Sequence, residues 1–439
     1  MTKENGQTVS GTQLRKLKDF FQQHAPKCVH KPEGMLPYRY TTPSYGVVAG
    51  ADDKAAVAER STTGHYLQMY DWDACFFSQA SHRVGIEGLQ RDVVANFLSL
   101  KQADGQIPRT VSPGRVWDAG DQCKPFLATT LLSSLKNQGG LKAVAGAEHD
   151  TGSLSGEDRK ELATFSAYLS DLDCYLGYFK RQRLSKWGLY HWRNVLESGV
   201  DDNLALIAPR EAAKDEDASM ARFDDGRILA VDINSYLAGE FAALARMAEA
   251  CGNKALEEAC RMQTRALREA IEEHLWHEEL ALYCGYNTAD NTIIALRSWT
   301  GLTPVIMGIA GEERAHRVIR ENILNQEHFL RPAGLASHAV SEPLANQQRR
   351  GLYGRAIVSN WQGPVWVLPN ALVVRALLKY GYQKEAQEIA ARVLNTLSKG
   401  LQETGTLHEN YNAETGAPLW APNFMSWNIL ALELVELLE

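Results

Sequence analysis

Apolar residues recur at spacings of three and four through most of this 439-residue chain, and they rarely alternate. That period belongs to helices and argues against a sheet as the framework. It predicts helices over residues 65–84, 87–102, 122–137, 156–182, 202–209, 232–250, 254–275, 312–324, 363–379, 383–398 and 424–438. In the last of these, Trp427, Leu430, Leu432, Leu434, Val435 and Leu438 make one broad apolar face. A further short helix is expected between Thr12 and His24, where Leu14, Leu17, Phe20 and Phe21 keep the spacing. Two brief stretches read as strands, Tyr283 to Tyr286 and Ala356 to Val358. Residues 35–62, 138–155 and 209–227 are rich in turn formers or charge and read as loops.

About a dozen helices in succession, with long loops on some connections, suit an all-α toroid of helix pairs. No motif repeats at a fixed period, so an array of identical repeats is not supported. No strong linker divides the chain. The expected organisation is an N-terminal helix and connector over residues 1–34, then a single domain over 35–439.

Composition narrows the function classes. The formal net charge is −7, without the clustered basic surface that binds nucleic acid. The seven cysteines are scattered and no Cys-x-x-Cys pair occurs, which argues against a zinc site and fits free thiols in a reducing compartment. Residues Met1 to Gln7 show no apolar signal region, and no apolar run reaches membrane-spanning length. A cytoplasmic protein without membrane or nucleic-acid partners is expected.

The chemistry concentrates in Glu197-Ser198-Gly199-Val200-Asp201-Asp202-Asn203, which follows the aromatic Tyr190-His191-Trp192 and precedes the apolar Leu204-Ala205-Leu206-Ile207. The glycine permits a sharp turn, and Asp202 or Asn203 is placed to cap the next helix. A carboxyl beside aromatic surface is poorly solvated and holds its proton more tightly, as a general acid requires. Far downstream, His408-Glu409-Asn410-Tyr411-Asn412 again sets a carboxylate among aromatic and amide groups. Two such carboxylates suit glycosidic bond cleavage.

The pattern Glu-Ser-Gly-x-Asp resembles the general-acid motif of the inverting α-glycosidases of glycoside hydrolase families 37 and 63. Glu409-Asn410-Tyr411-Asn412, closed by Thr415-Gly416, resembles the general-base motif of family 63. The resemblance implies Asp201 as acid, Glu409 as base and an (α/α)6 barrel fold. Four more stretches resemble family motifs. Tyr70-Asp71-Trp72-Asp73 resembles the Trp-Asp pair in which the Asp accepts from sugar hydroxyls in the −1 subsite. Gly105-Gln106-Ile107-Pro108-Arg109 and Gln122-Cys123-Lys124-Pro125 resemble a Gly-x-Ile-Pro loop and a Gln-Pro-Pro helix entry. Cys123 and Lys124 are departures, the second inserting a cation. Asn360-Trp361-Gln362-Gly363-Pro364-Val365-Trp366 resembles Tyr-Trp-Arg-Gly-Pro-x-Trp, with Asn360 and Gln362 replacing Tyr and Arg. Leu275-Trp276-His277-Glu278 resembles a structural helix-end turn; His274, His277 and Glu278 do not fit the zinc template His-Glu-x-x-His. A further departure is Leu196, where family 63 usually has Trp.

By this resemblance the substrate-binding set comprises Tyr40, Trp72, Asp73, Arg109, Gln122, Lys124, Glu197, Trp361, Gln362, Gly363 and Trp366. No metal or organic cofactor is needed. The compact chain resembles the small glucosylglycerate and mannosylglycerate hydrolases, which implies a small α-glucoside or α-mannoside as substrate. Trehalase-like or oligosaccharide α-glucosidase activity, glucosylglycerol hydrolysis and a non-catalytic sugar-binding barrel stay open alternatives. A sugar epimerase or isomerase would call for His-rich acid/base sites, which the sequence does not show.

Overall fold

A computed structural model describes residues 8–46, 66–134, 166–207, 226–347 and 359–439. Twelve helices carry the framework among these residues. They are α1 (Gly11–His24), α2 (Asp71–Ala80), α3 (Leu89–Ser99), α4 (Leu127–Leu132), α5 (Leu169–Gln182) and α6 (Val231–Ala250). They continue with α7 (Lys254–His274), α8 (Thr303–Ile306), α9 (Glu312–Val318), α10 (Val367–Lys379), α11 (Gln383–Thr404) and α12 (Ala431–Leu438).

Burial sorts the helices into two rings. All ten residues of α2 are buried, and so is every residue of α10 from Val367 to Leu377. On α7 only Cys260, Thr264, Leu267, Ala270 and Ile271 are buried, a single stripe at spacings of three and four. A helix apolar on all sides belongs inside, and one with a stripe belongs outside. The inner ring runs α2, α4, α6, α8, α10 and α12, each packed on the next. It closes because the 3₁₀ turn that opens α12, Ser426–Leu430, packs on α2. Outer helices α3, α5, α7, α9 and α11 back this ring, and α1 packs on α11. The fold is an (α/α)6 barrel. The apolar residues of α1 belong to the same core as the ring helices.

The links at the two ends differ in length. Three residues join α6 to α7 and three join α10 to α11. Such short links make antiparallel hairpins. Return from an outer to an inner helix takes a long excursion, such as residues 275–302. These excursions gather at the N-terminal ends of the inner helices.

Two of them contain hairpins that the sequence reading missed, Pro108–Ser112 with Arg115–Gln122, and His408–Tyr411 with Pro418–Pro422. Met69–Tyr70 adds a third strand to the first, so the helix expected from residue 65 begins only at Asp71. The helix expected from Gly363 begins at Val367, because Gly363 takes a φ of 155° and Pro364 follows it. Helix α8 was not expected; a single turn is too short to show a period. The single strand expected from Tyr283 to Tyr286 is instead the end of one short strand and the start of another, in different sheets. Ala356 to Val358 and the loop at 138–155 lie outside the described residues.

All seven cysteines are free thiols. Among the described residues no helix is long and apolar enough to cross a membrane.

Candidate active site

The N-terminal ends of the inner helices share one mouth of the barrel, and acidic residues cluster there. Asp71 and Asp73 stand in the first turn of α2, and Asp232 in the first turn of α6. All three are buried. The positive end of a helix dipole stabilises such carboxylates.

Five tryptophans pack together at this mouth, each from the entry to an inner helix. Trp361 lies flat on Trp366, with ring centroids 3.8 Å apart and planes 8° from parallel. Trp299 stacks against Trp361 at 5.4 Å. Trp72 approaches Trp361 at 5.8 Å and Trp427 at 5.3 Å. The Nε1 atoms of Trp361, Trp299 and Trp427 are buried without a hydrogen-bond partner among the described residues.

The candidate base and acid approach this floor of tryptophans from different loops. Glu409 lies in the hairpin strand beside Val365, to which Tyr411 is bonded in both directions at 2.8 and 3.0 Å. The Tyr66 hydroxyl lies 3.0 and 3.1 Å from its two oxygens, and Ser359 Oγ donates at 3.3 Å. These hydroxyls fix the carboxylate's direction. Tyr66 packs on Phe424, and Phe424 on Trp427. The loop bearing Asp201 meets Trp72, whose Cζ2 would lie 2.9 Å from a Cβ built on Gly199. Gln362 Nε2 donates to the carbonyl of Asp202 at 2.9 Å. Asp201 is half-buried, and Asp202 takes a φ of 56°. Asn203 caps the following turn by accepting from Ala205 N at 3.0 Å, as the sequence led one to expect.

The Asp201 loop is docked on the hairpin of residues 108–122. Arg109 Nη1 donates to the carbonyl of Leu196, and Asn194 Nδ2 donates to Asp121 at 2.7 Å. Glu197, expected to bind substrate, is fully buried and accepts from Gln122 N at 2.9 Å, from Arg193 N and from Arg183. Its carboxyl is raised above the usual range by burial, against the pull of Arg183. Gln122 is also internal, accepting from Ile107 N at 2.9 Å. These two residues brace the loop. Tyr40 likewise lies apart, pairing with His30, its hydroxyl toward Glu33 at 3.5 Å. Gly363 sits against Gln347, where an added Cβ would come within 3.0 Å.

Lys124 is closed off from solvent. Its ammonium lies 3.0 and 3.2 Å from the oxygens of Asp71, and its own N–H donates to the same carboxylate at 2.8 Å. It also stands 4.9 Å over the ring of Trp72. Asp73 accepts from Ser426 Oγ at 2.6 Å. Burial pushes its carboxyl up to about 7, opposed by the Ser426 hydrogen bond and by Lys124 and Arg109, and assisted by Asp71.

A raised carboxyl binds its proton more tightly when folded than when unfolded. Its contribution to stability is therefore full at low pH and is lost as pH rises through about 7. In urea unfolding, Asp73→Asn is expected to shrink the loss of stability between pH 5 and pH 8. Ser426→Ala, which removes a donor to the ionised form, is expected to move that loss to higher pH. Equal pH profiles for wild type and Asp73→Asn would contradict this.

Sequence motifs led to Trp72, Asp73, Arg109, Lys124, Asp201, Trp361, Gln362, Trp366 and Glu409, and the fold brings the segments that carry them together. They did not lead to Tyr66, Ser359, Ser426, Trp299 or the partnership of Asp71 with Lys124. The apolar spacing marks Trp427 only as a core residue. Among the described residues no group of three or more His, Cys, Asp or Glu side chains is placed to hold a metal. Glu278 accepts from Trp276 Nε1 at 2.6 Å and pairs with Arg317.

An (α/α)6 barrel with carboxylates and stacked tryptophans at the inner-helix N-termini defines the class of barrel glycoside hydrolases. The chain belongs to the mannosylglycerate hydrolase MGH1-like glycoside hydrolase family, whose domain matches residues 66–427. A periplasmic trehalase of Pseudomonas aeruginosa is 26% identical over 379 residues, covering 80% of this chain and 64% of that protein. A periplasmic trehalase of Salmonella paratyphi B is 27% identical over 189 residues, 43% of this chain and 30% of its own length. The chain thus spans less than two thirds of the curated relatives it matches. Among solved structures, the GH63 mannosylglycerate hydrolase from Thermus thermophilus in complex with glucose superposes with a TM-score of 0.67. That match has 18% identity and covers 96% of this chain and 99% of the other. Neutral trehalase Nth1 from Saccharomyces cerevisiae gives a TM-score of 0.59 at 15% identity, covering 86% and 72%.

Proposed function

We propose that the protein hydrolyses a small α-glycoside, such as glucosylglycerate or mannosylglycerate, with inversion at the anomeric carbon. Asp201 protonates the departing oxygen, and Glu409 draws a proton from a water on the opposite face of the sugar. In inverting enzymes the two carboxyls stand about 6.5–9.5 Å apart to admit that water. The observation that carries the reading is the arrival of two loops, one with Asp201 and one with Glu409, at a floor of stacked tryptophans. Aromatic faces stack on the apolar faces of pyranose rings, and Asp73 beside them offers an acceptor for sugar hydroxyls.

The test is a comparison of specificity constants for glucosylglycerate, mannosylglycerate, glucosylglycerol, trehalose, maltose, maltotetraose and starch, with anomer-resolved NMR of the product. The expected result is preference for a glycerate glycoside and first appearance of the β-sugar. First appearance of the α-sugar would overturn inversion. Preference for maltotetraose or starch would overturn the small-substrate reading. Trehalose is the second candidate, favoured by the trehalases among the relatives.

A further inference from the structure

Lys124 first looks like a cation for a substrate carboxylate. The geometry does not leave it free for that, because Asp71 holds its ammonium at 3.0 and 3.2 Å and the side chain is fully buried. What it touches instead is the loop that bears Asp201. A Cβ built on Gly199 would come within 2.6 Å of Lys124 Cε, 2.9 Å of its Nζ and 2.9 Å of Trp72 Cζ2. Gly199 has a φ of 71° and stands two residues before Asp201. The loop therefore rests with bare backbone on the end of Lys124 and the edge of Trp72.

We infer that Lys124 is a positioning residue for the general-acid loop: anchored on Asp71, its ammonium supports Gly199 and thereby sets where Asp201 stands over the sugar floor. This rests on the assignment of Asp201 proposed above. Several contacts make the support rigid. Asp71 binds both the backbone N–H and the ammonium of Lys124, which fixes the two ends of the side chain at once. The Tyr175 hydroxyl donates to the Lys124 carbonyl at 2.6 Å. The ring of Trp72 lies against the charge. Charged groups that act on the ammonium are Asp71 and Asp73 of α2, Asp232 of α6 and Arg109 of the hairpin. The ammonium also lies against Gly199 of the acid loop, and a cation there opposes a higher proton affinity of a nearby carboxyl.

The test uses Lys124→Met, which keeps length and removes charge, and the double variant Asp71→Asn/Lys124→Met, which removes both charges. A residue that places the acid affects the chemical step more than substrate capture, so Lys124→Met should lower kcat at least about tenfold and change KM less than about threefold. The alkaline limb of the kcat profile, which reports the acid in the complex, should move to higher pH once the cation is gone. The double variant should unfold near the wild-type temperature, since no buried charge is left unpaired, yet keep the low kcat. It carries the test if the single variant fails to fold. Wild-type kcat and pH profile in the double variant would overturn the inference, as would a rise in KM at constant kcat, which would make Lys124 a substrate ligand. Failure of the wild-type enzyme to cleave any α-glycoside would overturn both this inference and the function it rests on. An active wild type with unaffected Lys124 variants would overturn this inference alone.

Discussion

Asp201→Asn and Glu409→Gln are each expected to lower turnover by at least about two orders of magnitude, the scale of a lost general acid or base. The two variants should nevertheless fold. Asp201 is half-buried in a loop, and its replacement removes no apolar core. Glu409→Gln keeps an acceptor for the hydroxyls of Tyr66 and Ser359, which lie 3.0 and 3.3 Å from the same oxygen. The two losses should differ in kind. A substrate with a better leaving group needs less protonation of the departing oxygen, so an activated aryl glycoside should rescue Asp201→Asn and not Glu409→Gln. Near-normal turnover of the preferred substrate by either variant would remove that residue from the mechanism.

The second large effect concerns Trp361. Its ring is 3% exposed and is packed on Trp366 at 3.8 Å, with Trp299, Trp72 and Trp427 around it. Truncating a buried aromatic ring to Ala costs about 3–5 kcal/mol, because the surrounding side chains collapse only partly into the space. Trp361→Ala should therefore lose stability of that order in urea unfolding as well as substrate affinity. Trp361→Phe separates the two losses. It keeps an aromatic face and most of the packing, and it removes an Nε1–H that no group among the described residues accepts. Stability should stay closer to wild type while KM rises. A Trp361→Phe variant with unchanged kcat and KM would show that the wider indole ring is not needed to hold the substrate.

How much of this was legible in the sequence differs from one residue to the next. Asp201, Glu409, Trp72 and Trp361 stand in runs of chemically distinctive residues, and those runs can be read without knowing what they touch. Ser426 and Ser359 are ordinary serines in the sequence. One donates to Asp73 and the other to Glu409 only because the fold brings distant segments together. Tyr66 precedes its partner Glu409 by most of the chain. Glu197 and Lys124 illustrate the opposite error. Their charges and motif positions made them look like ligands, but burial and close partners make them supports.

Most of the helical framework was determined by the sequence alone, since the apolar stripe of α7 and the largely apolar run of α10 are patterns that each segment carries within itself. The two hairpins, the single-turn α8 and the exact helix starts were not determined in this way. Strand pairing depends on a partner segment, and one turn has no period to display. Tertiary structure also decided which charged residues face the mouth and which brace the loops behind it. Burial and hydrogen-bond partners belong to pairs of segments, so they exist only once the ring of inner helices has closed.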